Sequence, residues 1–166
     1  MPDSAPKPDA SVVQPLRAVL DTNVWLDLLL FGDTGSAGIR RAIDKGRLLP
    51  LLDAACLEEF RRVLGYAQWA LSTERQQQLW QAARHWLQDP LGPLPPALPR
   101  CRDPDDQKFL ELAARGGAQM LLTRDRDLLM LARRCRKLGL FHILSPADFD
   151  DQRDVRPLQP ALPSVF

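Results

Sequence analysis

Acidic side chains follow two of the apolar segments of this 166-residue chain. Asp21 comes directly after the apolar run Leu16–Leu20, and Asp125 follows Ala118–Thr123. If both runs are strands of a parallel sheet, their carboxyl ends face the region where open α/β sheets bind ligands. The two carboxylates meet there only if the two strands are neighbours.

Capping of a helix is the simpler alternative for both residues. Asp is common at helix N-caps, where its carboxylate accepts backbone N–H bonds, and this role suits Asp125 well. It suits Asp21 less well, because Thr22 or Asn23 could cap the same helix. The functional interpretation of Asp21 therefore depends on its position at the strand end.

A third acid lies at the start of a predicted helix that ends at Arg115. At about 100° per residue, Asp106 falls near the centre of the apolar stripe, whereas Asp105 lies about 90° away. A carboxylate on the inner face needs a cation or a metal ion as its partner, because burying an unpaired charge is costly. The alternative is again capping, with Asp103 as the N-cap and Pro104 at the first helical position.

A fourth acid lies on the predicted helix Asp53–Ala67. Glu58 points away from the apolar stripe of this helix, whereas Glu59 lies at the shoulder of the stripe, where it could line a cleft. The alternative for Glu59 is a border residue that pairs with Arg61 or Arg62.

Asp21, Glu59, Asp106 and Asp125 together predict a metal site. Clustered carboxylates repel one another, and their pKa values rise unless a divalent cation binds. Because all four residues offer oxygen ligands, the sequence favours Mg²⁺ or Mn²⁺. Three widely spaced cysteines and only two histidines disfavour a zinc site or a disulfide framework. This cysteine usage fits a reducing, cytoplasmic setting.

The composition is typical of one globular domain, with 45% apolar and 26% charged residues. No apolar run reaches the roughly 18 residues of a membrane span, and the N-terminus lacks the apolar segment of a secretory signal. Prolines cluster near both ends. We therefore expect a flexible leader at residues 1–15, one domain at 16–150 and a flexible tail at 151–166.

Short apolar runs alternate with helical patterns between these ends. This alternation predicts an α/β domain whose parallel sheet is covered by helices on both faces. The predicted strands are Leu16–Leu20, Leu48–Leu52, Ala118–Thr123 and Phe141–Leu144. The predicted helices are Asn23–Phe31, Thr34–Lys45, Asp53–Ala67, Thr73–Gln88, Asp103–Arg115 and Asp127–Leu138, with a short helix after Ser145.

The chain resembles PIN-domain proteins, in particular the bacterial group of toxins from toxin–antitoxin pairs. The order and spacing of several blocks make this resemblance specific, and it covers about residues 17–150. The blocks are Val19–Val24, Leu57–Leu64, Cys101–Ala113 and Leu122–Leu129, and the ending Ile143–Phe149 also fits.

The resemblance implies a three-layer α/β/α sandwich around a five-stranded parallel sheet of order 3-2-1-4-5. This order makes the strands before Asp21 and Asp125 neighbours at the point where the strand order reverses. The third strand would fall near Ala97–Cys101, where prolines predict a short or irregular edge strand.

The resemblance also implies a metal-dependent endoribonuclease, the toxin of a toxin–antitoxin pair. The four acids named above carry over as the catalytic and metal-binding residues. Asn23 and Thr123 carry over as polar support. Asp103 and Asp127 are auxiliary candidates, for which capping is the better explanation.

RNA binding requires a local basic patch, because the net charge of +1 predicts no general attraction to polyanions. The segment Arg124–Lys137 is such a patch beside the predicted acidic pocket. Its candidate phosphate contacts are Arg124, Arg126, Arg133 and Arg134. The alternative is a solvated helix face with no role in binding.

Protein partners are a further expectation. The predicted helix Thr73–Gln88 exposes Trp80 and Trp86 and could support a homodimer. If the toxin resemblance holds, an antitoxin peptide would cover the acidic cleft. No membrane partner is expected.

Two other functions stay open. The chain could be a non-catalytic RNA-binding or scaffold protein that retains the fold. It could also be a metal-dependent phosphatase with Asp21 after its first strand. A phosphatase of the haloacid dehalogenase type needs a second Asp two residues later, where this chain has Asn23.

Overall fold

The computed structural model describes residues 14–89 and 92–150. Most of the expected leader (1–15) and the whole expected tail (151–166) lie outside the described residues. Within the described ranges, no helix combines the length and the apolar character that crossing a membrane requires.

The centre of the fold is a parallel sheet, as predicted. Its four strands are β1 (Leu16–Leu20), β2 (Leu48–Leu51), β3 (Met120–Leu122) and β4 (His142–Leu144). They pair in the order β2-β1-β3-β4. β1 and β3 are therefore adjacent, which is the arrangement that brings the ends of the two acid-bearing strands together.

Helices connect the strands in the alternating pattern that the sequence predicts. They are α1 (Thr22–Leu26), α2 (Ala37–Asp44), α3 (Ala54–Leu64), α4 (Thr73–Arg84), α5 (Gln107–Arg115), α6 (Arg126–Leu129) and α7 (Ala132–Lys137). Single 3₁₀ turns at Thr34–Ser36, Ala67–Trp69, Pro104–Asp106 and Pro146–Asp148 supplement them.

Both faces of the sheet are covered. Ala18, Val19 and Leu20 of β1 are all fully buried, as is the whole of β3. Because successive strand residues point to opposite faces, complete burial of consecutive residues requires packing on both sides. The fold is thus an α/β sandwich with the sheet in the middle layer.

The expected edge strand near Ala97–Cys101 does not form, and the described residues contain four strands rather than five. Beside β2, a single parallel bridge joins Leu52 to Leu87, and the Gln88 N–H donates to the Leu52 carbonyl at 2.8 Å. Proline has no N–H to give to a sheet ladder, which accounts for the absence of a strand in the proline-rich segment.

Several boundaries differ from the predicted ones. The predicted helix Asn23–Phe31 is α-helical only to Leu26 and continues as a π-helical turn over Asp27–Phe31. The predicted helix Asp127–Leu138 is divided into α6 and α7. The predicted helix Thr73–Gln88 begins at Thr73, where the Ser72 hydroxyl oxygen accepts from the Arg75 N–H at 3.1 Å, but it ends earlier, at Arg84.

The expected exposure of Trp80 and Trp86 is wrong. Both side chains are half-buried and pack against the hydrophobic core. The Arg84 guanidinium also lies 5.1 Å from the centre of the Trp80 ring. The face of α4 that was expected to serve a homodimer therefore presents less apolar surface than the sequence suggested.

Candidate active site

The carboxyl ends of β1 and β3 place Asp21 beside Thr123. Leu20 pairs with Leu122 across the sheet, so the next residue of each strand leaves the sheet at the same edge. Asp21 is 4% exposed and Thr123 is fully buried. The Thr123 hydroxyl donates to Asp21 Oδ2, and the Arg124 N–H lies 3.3 Å from the same oxygen.

The other oxygen of Asp21 caps a helix. Asp21 Oδ1 accepts a hydrogen bond from the Val24 N–H at 2.9 Å and is the N-cap of α1. Thr22 and Asn23, the other capping candidates in the sequence, are not the N-cap of this helix. Burial raises the pKa of Asp21, and the charge of Asp125 raises it further.

Asp125 is tied to the same threonine. Its N–H donates to the Thr123 hydroxyl oxygen at 2.9 Å. Asp125 Oδ1 caps α6 by accepting from the Asp127 N–H at 2.8 Å and from the Leu128 N–H at 3.1 Å. Capping is therefore confirmed for Asp125, and it engages only one of the two carboxylate oxygens.

Glu59 reaches this region from α3. Its Oε1 accepts a hydrogen bond from the Thr22 hydroxyl at 2.6 Å, and its Oε2 pairs with the Lys108 ammonium group. The alternative pairing with Arg61 or Arg62 is wrong, because the ion-pair partner of Glu59 is Lys108, and Arg61 pairs instead with Glu58 at 2.5 Å on the exposed face of α3.

Asp106 lies half-buried at the end of the Pro104–Asp106 turn, whereas Asp105 is exposed, as helical spacing predicts. Within the described part of the chain, the Asp106 carboxylate accepts no hydrogen bond and forms no ion pair. Burial raises its pKa to about 6, and the charges of Asp125, Asp103 and Glu59 add to the rise.

Electrostatic interactions connect the four predicted acids into one negative region. The charge of Asp125 raises the pKa of Asp21, and the charges of Asp125 and Glu59 raise the pKa of Asp106. The Cys101 thiol borders the same region. Burial raises its pKa, and the nearby charges of Asp106 and Asp125 raise it further. The three cysteines are free and buried.

The donor set suits a hard divalent cation, because it consists of carboxylate oxygens whose mutual repulsion a cation would relieve. The side chains are not gathered into a closed set of ligands. Over residues 14–89 and 92–150, no three His, Cys, Asp or Glu side chains lie close enough together to hold a metal ion.

The auxiliary candidates have different positions. Asp103 caps the Pro104–Asp106 turn by accepting from the Asp105 N–H at 2.9 Å. Asp127 is half-buried in the first turn of α6, and Asn23 is exposed on α1. Of the two polar residues expected to support the site, only Thr123 contacts one of the four acids.

The basic candidates divide into two groups. Arg124 forms ion pairs with Asp27 and Asp33, each at 2.5 Å, so carboxylates already engage its guanidinium. Arg126, Arg133 and Arg134 are exposed and form no ion pair with the described residues. Of the four candidates, these three are therefore the ones whose positive charge is available to solvent.

Sequence reasoning missed two residues of the site. Thr22 was considered only as a cap, although it directly follows Asp21 and its hydroxyl contacts Glu59. Lys108 lies two residues after Asp106 in the block Cys101–Ala113, but nothing in the local pattern indicates that it reaches α3. Its partner Glu59 belongs to a different helix.

Comparison with known protein families identifies the family of this chain. A sequence profile of the PIN domain matches residues 17–127, which is about two thirds of the chain. The chain belongs to the PIN-domain family. PIN domains are typically nucleases that use divalent metal ions. Searches of the curated proteins and of the solved structures found no match.

Proposed function

We propose that this PIN domain is a metal-dependent endoribonuclease that hydrolyses RNA phosphodiester bonds. Asp21, Glu59, Asp106 and Asp125 would hold one or two Mg²⁺ or Mn²⁺ ions. The observation that carries the proposal is Asp106, a half-buried carboxylate without a partner among the described residues, beside other acids. Such a group is unfavourable unless a cation binds beside it.

A bound divalent ion would activate a water molecule for attack on phosphorus and offset the charge on the leaving oxygen. The residues of the chain hold the ligands in position. The Thr123 hydroxyl orients the Asp21 carboxylate, and the Thr22 hydroxyl orients that of Glu59. No side-chain nucleophile is required.

RNA would bind next to the acids through exposed arginines. We retain Arg126, Arg133 and Arg134 as phosphate contacts, since their charges are available to solvent. Arg124 is the weakest of the four candidates because Asp27 and Asp33 already pair with it. Phosphate contacts of this kind weaken steeply as salt rises.

The test is cleavage of single-stranded RNA by the wild type, Asp21→Asn and Asp106→Asn, each with Mn²⁺, Mg²⁺ or EDTA. We expect the wild type to cleave with metal and not with EDTA, and each variant to lose at least about a hundredfold in rate. Asp44→Asn is the matched control, because Asp44 is exposed on α2. Equal cleavage by all proteins would refute the site.

A non-catalytic RNA-binding protein is the second candidate. It is favoured by the Lys108–Glu59 ion pair, which already neutralises one of the four acids, and by the open arrangement of the ligands in the described residues. Specific RNA binding without cleavage under any metal condition would support this function.

A toxin role in a toxin–antitoxin pair is proposed on the sequence resemblance alone. Its test is co-purification with the product of a neighbouring short reading frame, and loss of RNA cleavage in that complex.

Light scattering of the purified chain tests the proposed homodimer. The buried free thiols fit a reducing compartment, and we propose the cytoplasm.

A further inference from the structure

Lys108 is the cation that lies among the proposed metal ligands. Its ammonium group pairs with Glu59 Oε2 and donates to the Asp105 carbonyl. The two side chains of the ion pair are only 21% and 14% exposed, so water screens their interaction weakly. The same charge also acts on Asp106, where it opposes the rise in pKa.

Both carboxylate oxygens of Glu59 are engaged. Oε1 accepts from the Thr22 hydroxyl at 2.6 Å, and Oε2 faces the Lys108 ammonium. A divalent ion that used Oε2 would approach a fixed positive charge at short range. Two cations on one oxygen repel each other, so binding of the ion requires Lys108 to move away or weakens the ion's affinity.

We propose that Lys108 is a built-in counter-ion that competes with the divalent metal for Glu59. This inference depends on the proposed function, since it concerns regulation of the same site. In the absence of metal, Lys108 stabilises Glu59 and reduces the repulsion among the acids. Metal binding at Glu59 displaces the ammonium group from Oε2.

The test is equilibrium binding of Mn²⁺ alone, measured by titration calorimetry on the full chain without RNA. Lys108→Met removes the charge and keeps an unbranched apolar side chain, whereas Lys108→Arg keeps the charge. Lys45→Met is the matched control, because Lys45 is exposed at the end of α2, beside the amino end of β2. Far-UV circular dichroism checks that each variant is folded.

We expect Lys108→Met to bind Mn²⁺ at least about fivefold more tightly than the wild type. Lys108→Arg and Lys45→Met should stay within about twofold of the wild type. In a Glu59→Gln background, Lys108→Met should gain much less, because the contested carboxylate is gone. This double-mutant cycle separates competition at Glu59 from a general change in charge.

Unchanged or weaker Mn²⁺ binding by Lys108→Met would overturn the inference while leaving the proposed metal site intact. A full gain in the Glu59→Gln background would overturn it as well, since the effect would not act through Glu59. Binding by Lys108→Met when the wild type binds too weakly to measure would support it strongly. Failure of both proteins to bind Mn²⁺ would overturn both the inference and the metal site.

Discussion

The two carboxylate oxygens of Asp21 have different partners. Its Oδ1 caps α1, while its Oδ2 accepts from the Thr123 hydroxyl. Asp125 likewise caps α6 with a single oxygen. Sequence analysis treated helix capping and metal binding as alternatives for these acids. Because each carboxylate has two oxygens, one side chain could do both.

Thr123 connects the two carboxylates, and removing its hydroxyl should be costly. Thr123→Val leaves the buried Asp21 Oδ2 without this donor and the Asp125 N–H without its acceptor. We expect a loss of about 1–3 kcal/mol in the free energy of unfolding, measured by urea denaturation. Thr123→Ser keeps the hydroxyl and should cost less. Equal losses in the two variants would contradict this role.

Asp106 should make the metal-free protein less stable at neutral pH. Its folded-state pKa is raised from 3.8 to about 6. The folded state therefore favours the protonated form of Asp106. The stability that this preference contributes is fully present below about pH 4 and is lost as the pH rises through about 6. Asp106→Asn should stabilise the protein by about 1 kcal/mol near pH 7.5 in EDTA, after allowance for solvent screening.

The gain from Asp106→Asn should disappear near pH 4, where the native carboxyl group is protonated. Urea denaturation at both pH values measures the difference. Asp105→Asn is the control, because the Asp105 side chain is exposed on the same turn. A gain that does not depend on pH would show that repulsion of the charged Asp106 is not its cause.

The loop between β3 and α6 is joined to the segment after α1 by Arg124. Its guanidinium pairs with Asp27 on the π-helical turn and with Asp33 beyond it. Burial raises the pKa of Asp27 even though Arg124 faces it, whereas the pKa of the more accessible Asp33 is lowered because Arg124 donates to it. The same loop carries Asp125, so these contacts help to position it.

Arg124→Met should destabilise the fold by about 1–3 kcal/mol, because it leaves the buried Asp27 carboxylate unpaired. Thermal or urea denaturation measures the loss. The double variant Asp27→Asn, Arg124→Met should recover part of it, since no buried charge remains. Arg126→Met is the control, because Arg126 is exposed without an ion pair among the described residues. No recovery in the double variant would contradict the role of Asp27.

The order of the strands brings residues from distant parts of the chain to one edge of the sheet. The Thr123 hydroxyl and its Asp21 partner are 102 residues apart in sequence. Adjacency of β1 and β3 brings these two residues together, while α3 adds Glu59 and the Pro104–Asp106 turn adds Asp106. The site is therefore a property of the whole domain, and its ligand should stabilise the whole domain.

Mn²⁺ should raise the melting temperature of the wild type. A concentration ten times the dissociation constant stabilises the folded state by about 1.4 kcal/mol, which corresponds to a rise in Tm of about 4 °C. Asp21→Asn should lose most of this rise, and the control Asp44→Asn should keep it. Differential scanning fluorimetry with EDTA as the reference measures the shift, and an equal rise in Asp21→Asn would place the ion elsewhere.

Local patterns in the sequence were enough to predict the succession of strands and helices along the chain and the orientation of individual acids. β1 forms over the predicted residues, Asp106 faces inward while Asp105 does not, and Glu59 is half-buried while Glu58 is exposed. These features follow from periodicities of two and 3.6 residues, which depend on near neighbours alone. The roles of the four acids in metal binding and catalysis stay predictions.

Contacts between separate elements were decided only by the tertiary structure. The Lys108–Glu59 pair, the Thr22–Glu59 hydrogen bond and the engagement of Arg124 each join residues from different segments. The bridge of Leu87 to the edge of β2, in place of a strand at Ala97–Cys101, is of the same kind. Such contacts depend on how folded elements pack against each other, and periodicity within one segment carries no information about its distant partner.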